Sequence, residues 1–227
     1  VADTYPPGWE FEETGVTHTI SIPLGANPNI NGVPLQQGDH IGVFFLDGGT
    51  EVCGGAVAWD GTENVALIAY GDDVTSPAKD GFSEYEAFNW KVYSWDEGVT
   101  NPAVATYDDT FPFLSDGLFH ADGLSRLLSL NATSTTMYTI SGVVMEEGTA
   151  IADVEITLNN GGGITTTDAT GAYTIDVLYG WTGTATPYKL RYTFDPVSID
   201  YTQVTQDFAD QDYEATYGII PPGWEYT

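Results

Sequence analysis

With 227 residues, 42% of them hydrophobic and 13% aromatic, the chain is long enough for one large core or two modest ones and is not composed like a disordered segment. Its 33 acidic residues against 5 basic ones give a formal charge of −28, which excludes binding to nucleic-acid phosphates and to anionic membranes. Repulsion on that scale calls for compensating cations, and Ca2+ suits clustered carboxylates best.

The chain begins on a segment that it later echoes. Pro6-Pro7-Gly8-Trp9-Glu10-Phe11-Glu12 returns as Pro221-Pro222-Gly223-Trp224-Glu225-Tyr226-Thr227, an offset of 215 residues (6 to 221) with five positions identical and an aromatic ring kept at the sixth. Either a period of that length runs through a longer protein, or the two ends occupy equivalent places in neighbouring subunits. Pro6, Pro7, Trp9, Pro221, Pro222 and Trp224 are therefore the expected junction residues, the two Trp acting as buried anchors at the joint.

Val16–Pro23 alternates apolar and polar residues as a half-buried strand does, with His18 expected on the solvent side. Asn31-Gly32 marks a tight turn, because both residues tolerate positive φ. Gly38-Asp39 turns the chain into the apolar run Ile41–Leu46, and Asp47-Gly48-Gly49 turns it into a buried strand around Cys53. Val65–Tyr70 and Ala87–Tyr93 are further strands, and 119–130 reads as one helical turn or a last strand. Turn signals recurring roughly every 8–12 residues make a β-sandwich the economical architecture.

Thr/Ser-rich residues 132–137 read as a linker between a module over 1–131 and a second one over 138–217, with 218–227 opening a next repeat or forming an inter-subunit segment. In the second module strands are expected at Tyr138–Met145, Val154–Leu158, Gly163–Thr167, Gly171–Val177, Thr182–Pro187, Lys189–Phe194 and near Gln211–Thr216. The predicted class is all-β, two β-sandwich domains in tandem, the second immunoglobulin-like or prealbumin-like.

Four segments of the second module carry a resemblance: Ile140–Val144, Ile151–Ile156, Thr166–Tyr173 with its Thr-Asp-Ala-x-Gly-x-Tyr pattern, and Gly180–Pro187 with Tyr192–Pro196. Together they resemble the carboxypeptidase regulatory-like, prealbumin-like family of bacterial surface modules. That likeness implies a seven-stranded sandwich without catalytic residues, with Asp168 and Gly171 closing a hairpin and Tyr173 turned inward. The first module is similar to one found in large secreted proteins of Bacteroidetes-type bacteria. The pieces that carry this likeness are Gly8-Trp9, Asn31-Gly32, Gly38-Asp39, Cys53-Gly-Gly55, Trp59-x-Gly61, Gly71-Asp72-Asp73, Lys79-Asp80-Gly81-Phe82 and Phe88-x-Trp90. It implies location and modularity, not chemistry.

The densest acidic stretch holds Asp72, Asp73, Asp80, Glu84 and Glu86 in a loop broken by Gly and Pro. It reads either as a Ca2+ shell of oxygen ligands or as a solvated acidic turn with Lys79 as partial counter-ion; the spacing does not fit an EF-hand. Asp96-Glu97 and Asp108-Asp109 are weaker candidates. His18, His40 and His120 lack zinc-ligand spacing, no Ser sits in a nucleophile elbow, and Cys53, the only cysteine, reads as a small buried apolar residue. No catalytic residue and no enzymatic activity are expected. No signal-peptide pattern and no apolar run of membrane-spanning length is seen. Six Trp and 14 Tyr raise sugar stacking as an alternative, with Trp59, Trp90, Trp95 and Trp181 in or beside strands. Asn131-Ala132-Thr133 is a formal glycosylation sequon in the linker.

These readings converge on a non-enzymatic, extracellular or cell-surface repeat unit of a fibre, filament, adhesin or stalk, linked head to tail with copies of itself. The alternative is a carbohydrate-binding module of a secreted multidomain protein.

Overall fold

The computed structural model describes residues 5–73 and 75–218, and the chain is all-β in two compact units, Val1–Ser134 and Thr135–Thr227. The expected junction residues Pro221, Pro222 and Trp224 lie outside the described residues.

Unit 1 contains β1 (Thr17–Ile22), β2 (Asn29–Ile30), β3 (Val33–Pro34), β4 (His40–Asp47), β5 (Thr50–Ala58), β6 (Val65–Tyr70), β7 (Asn89–Ser94), β8 (Val99–Tyr107) and β9 (Gly123–Ala132). The apolar run of β4 is buried from His40 through Phe45 because β5 and β7 flank it on either edge, both antiparallel. Asn31 (φ 49°) and Gly32 (φ 84°) form the tight β2–β3 turn. β9 links two layers. Its first half runs parallel to β1, which pairs with β6, and its second half joins the β8–β7–β4–β5 array. This settles 119–130 in favour of a strand.

Between the layers, Phe82 stacks on Phe119 at 5.6 Å and meets Phe45 and Phe88 edge-on at 5.6 and 5.1 Å. Each such ring, buried beyond reach of water, is worth about 3–5 kcal/mol against alanine. His18 belongs to this interior. Contrary to the solvent-side expectation it is fully buried, because it shares strand parity with Ile20 and Ile22. β8 was not anticipated: its residues are mostly exposed, Val104 among them, and Pro102 interrupts its pattern.

Unit 2 contains β10 (Met137–Glu146), β11 (Thr149–Ala150), β12 (Glu155–Leu158), β13 (Gly163–Thr166), β14 (Ala172–Leu178), β15 (Gly183–Tyr188), β16 (Tyr192–Asp195), β17 (Ile199–Tyr201) and β18 (Tyr213–Tyr217). One sheet is ordered β11-β10-β18-β16 with β14 also on β10, and the other is β13-β12-β15-β17. Ile140, Val144, Tyr173, Val177 and Tyr213 from the first sheet meet Ile156, Leu158, Ala185 and Tyr201 from the second in one core. That is a β-sandwich.

The Asp168–Gly171 turn is built on the residues its sequence suggests, but it is not the expected hairpin: it carries the chain from β13 in one sheet to β14 in the other, and those two strands do not pair. The Asp168 carboxylate accepts the Thr170 hydroxyl at 2.7 Å and the N–H groups of Thr170 and Ala172 at 2.8 and 3.1 Å. Tyr173 points inward and donates its hydroxyl to the Gln211 carbonyl at 2.5 Å. Gly171 has φ 76°, and a Cβ there would lie 2.5 Å from the Val144 carbonyl oxygen. Gly171→Ala is therefore expected to cost about 1–3 kcal/mol in urea denaturation; no measurable loss would contradict this account of the turn.

Candidate functional site

The segment Tyr5–Thr14 belongs to no strand and is pinned to unit 1 by aromatic rings. Trp9 N–H donates to the Pro6 carbonyl at 3.0 Å, closing a turn in which Gly8 takes φ 79°. The turn drives the Trp9 ring into a slot on β4, β5 and β7, where only 3% of it is exposed. Phe44 meets it edge-on at 5.1 Å, Tyr93 lies at 6.2 Å, and Cys53 joins the same cluster. The slot exists because Gly42 lacks a side chain: a Cβ there would come within 2.6 Å of the Trp9 ring.

Phe11 stacks on Tyr70 at 5.5 Å, and Tyr5 meets Phe11 at 5.0 Å and His40 at 6.1 Å. Lys91 caps the back of the slot, 4.4 Å from the Phe44 ring centre and paired with Glu51 at 2.7 Å. Burial pushes the Cys53 thiol up to about 11, as suits an inert core residue. Of the junction residues, Pro6 and Trp9 are buried within unit 1 and Pro7 is exposed.

The five acids of the Asp72–Glu86 stretch do not act together. Asp72 accepts the Asp80 N–H at 3.1 Å, and Asp80 accepts the Asp73 N–H at 3.4 Å and the Ser76 hydroxyl at 2.7 Å. Asp73 accepts the N–H and hydroxyl of Thr75 at 2.7 and 2.5 Å, and these bonds hold its carboxyl below the usual range. The three aspartates thus close one loop.

The two glutamates turn elsewhere. Glu86 pairs with Lys79 at 2.6 Å and accepts the N–H groups of Leu46 and Ser83. Burial opposes its ionisation, but these donors outweigh it and lower its pKa. Glu84 accepts the Ala121 N–H at 3.0 Å and lies 3.5 Å from His120 Nδ1. Among the described residues no group of three or more His, Cys, Asp or Glu is arranged to hold a metal ion.

A cluster that sequence spacing does not reveal forms where β1 runs beside β9. The His18 and His120 rings lie 6.2 Å apart although 102 positions separate them. His120 N–H donates to His18 Nδ1 at 3.1 Å, so Nε2 carries the His18 proton and donates to Ser125 Oγ at 3.0 Å. Ser125 in turn donates to the Leu114 carbonyl at 2.8 Å. Burial, then the nearby His120 imidazole, pushes His18 down to about 4 against the opposing pull of Asp116 and Glu84. The Ser–His contact resembles catalytic pairing, but both side chains are fully buried and Ser125 already spends its proton on Leu114. This is a structural lock.

Among the described residues the Trp rings that the sugar-stacking alternative singled out are mostly buried. Of the five Trp among the described residues, Trp9, Trp59, Trp90 and Trp181 are buried, and Trp95 is 42% exposed, its ring meeting Tyr93 and His40 edge-on.

Fold and surface define a tandem all-β protein whose best-formed feature is an aromatic slot filled by its own leading segment. No protein-family profile matches the chain, and no curated protein matches it in sequence. Among solved structures it is similar to the TIE protein of Bacillus anthracis (9% identity, 88% of this chain and 34% of that one, TM-score 0.33). It is also similar to the shaft pilin SpaA of Lactobacillus rhamnosus GG (13% identity, 90% and 100% covered, TM-score 0.27). A third is GBS52, the minor pilin of Streptococcus agalactiae (10% identity, 90% and 99% covered, TM-score 0.31). The chain spans about a third of the length of the first of these. With TM-scores this low, the fold assignment rests on the strands themselves.

Proposed function

We propose that this chain is a non-enzymatic structural unit of an extracellular fibre, filament or surface stalk, joined head to tail to further copies of itself. The observation that supports it most is the echoed Pro-Pro-Gly-Trp-Glu segment, whose first copy is a built part of unit 1. Two sandwich units and a strongly anionic surface suit a spacer that must stay soluble. Pro6-Pro7 and Pro221-Pro222 restrict the backbone at the joint by fixing φ.

Carbohydrate binding is not favoured, because four of the five described Trp side chains are buried in packing. The material expected from its source is an assembly far heavier than one 24.4 kDa chain. Light scattering of the native material, followed by a denaturing gel, separates a covalent repeat from associated subunits. A compact particle of single-chain mass, with no longer precursor, contradicts the proposal.

The acidic loop does not fit a preformed Ca2+ shell, since Glu84 and Glu86 are already engaged and the aspartates serve the loop itself. Calcium enters this reading only through the charge imbalance. Melting in Ca2+ and in EDTA tests it: a midpoint raised by Ca2+ and lost in Asp73→Asn assigns the ion to Asp72, Asp73 and Asp80. An unchanged midpoint removes calcium from the account.

A further inference from the structure

We infer that the Gly42 slot of unit 1 is the docking site for the Pro221–Tyr226 segment of a second copy, which seats Trp224 where Trp9 now lies. This deepens the head-to-tail reading and rests on it.

The slot is seen holding a near-copy of the proposed occupant. Each feature that seats the first segment recurs in the second. Pro221-Pro222-Gly223 repeats the residues that form the Pro6–Trp9 turn, with glycine at the position equivalent to Gly8, whose φ is 79°. Trp224 supplies the ring that Gly42, Phe44 and Tyr93 accommodate. Tyr226 supplies an aromatic face for Tyr70, where Phe11 now stacks. Glu225 matches the exposed Glu10. The two segments diverge at Glu12 and Thr227, beyond the rings that grip.

The resident segment is also built to exchange. It contributes no strand to the sheet, so leaving the slot breaks ring contacts without dismantling the β4–β5 or β4–β7 ladders. Exchange of a like element between copies is a low-cost route to association, and one segment offered by each copy to the next propagates head to tail.

The test uses the full chain with Trp9→Ala to empty the slot and the free peptide Pro-Pro-Gly-Trp-Glu-Tyr as probe. Saturating peptide is expected to raise the melting midpoint of Trp9→Ala by about 3–8 °C. It should raise the wild type by less, because the resident segment competes for the slot, and leave Trp9→Ala carrying Gly42→Val unchanged. A peptide with Ala in place of Trp should do nothing. In sedimentation, Trp9→Ala is expected to associate with rising concentration and Trp9→Ala/Trp224→Ala to stay monomeric.

A folded Trp9→Ala chain that ignores the peptide and remains monomeric overturns the inference. So does an unfolded Trp9→Ala chain that the peptide fails to refold. Filaments that persist in native material carrying Trp224→Ala place the linkage elsewhere, so the slot assignment falls while the fibre reading stands.

Discussion

Trp9→Ala is expected to destabilise unit 1 by about 3–5 kcal/mol, the cost of removing a buried Trp whose site cannot collapse. That is a large share of the stability of an ordinary domain, roughly 5–15 kcal/mol. For a unit of this size it corresponds to a fall of roughly 10–18 °C in melting midpoint. The effect is large because the slot is rigid: Gly42, Phe44 and Tyr93 sit on paired strands and cannot close over the void. Gly42→Ala should act in the same direction from the opposite side, since its Cβ would meet the ring at 2.6 Å. Calorimetry of the full chain reads both. A loss below about 1 kcal/mol for Trp9→Ala would show the segment to be a passive tail and would undercut the importance given to the echo.

Acidification should weaken unit 1 from about pH 6.5 downward. The fold lowers the His18 pKa to about 4 from the ordinary 6.5, mainly through burial. Its folded pKa is depressed, so the unfolded chain binds the extra proton between those values. The stability it protects is therefore complete above pH 6.5 and lost as pH falls toward 4, about 3 kcal/mol in all. Geometry supplies a reason beyond burial, because a proton on Nδ1 would face the His120 N–H, donor against donor. The groups around it are His120, Asp116 and Glu84, and the carboxyls of Glu86 and Asp116 are lowered and titrate later. Unfolding free energy measured by urea between pH 7 and 4.5 should fall in the wild type and flatten in His18→Gln. Parallel profiles for the two proteins would refute the role given to His18.

Much of the architecture could be read from residue order. Alternation located the strand at Thr17–Ile22, the apolar run Ile41–Leu46 located the one at His40–Asp47, and Asn31-Gly32 and Asp47-Gly48-Gly49 located turns. The Thr-Asp-Ala-x-Gly-x-Tyr pattern specified a tight turn that the Asp168 hydrogen bonds reproduce, but not that the strands it joins lie in different sheets rather than in a hairpin. His18 was misplaced because polarity was weighed above parity: an imidazole with two partners is cheaper to bury than a strand is to flip. β8 was invisible because its residues carry little apolar alternation.

The site was legible only in part. The echo singled out Trp9, but nothing local says that Gly42, 33 positions away, is where its ring lands. Counting acids grouped Asp72, Asp73, Asp80, Glu84 and Glu86, while the fold divides them between a loop, a lysine and a histidine. Charge density along a chain does not report which way each carboxylate turns.

The most direct measurement is negative-stain electron microscopy of the protein as isolated from its source. This account predicts filaments or extended arrays with a regular axial repeat. Uniform compact particles the size of one chain, at every concentration, would contradict it.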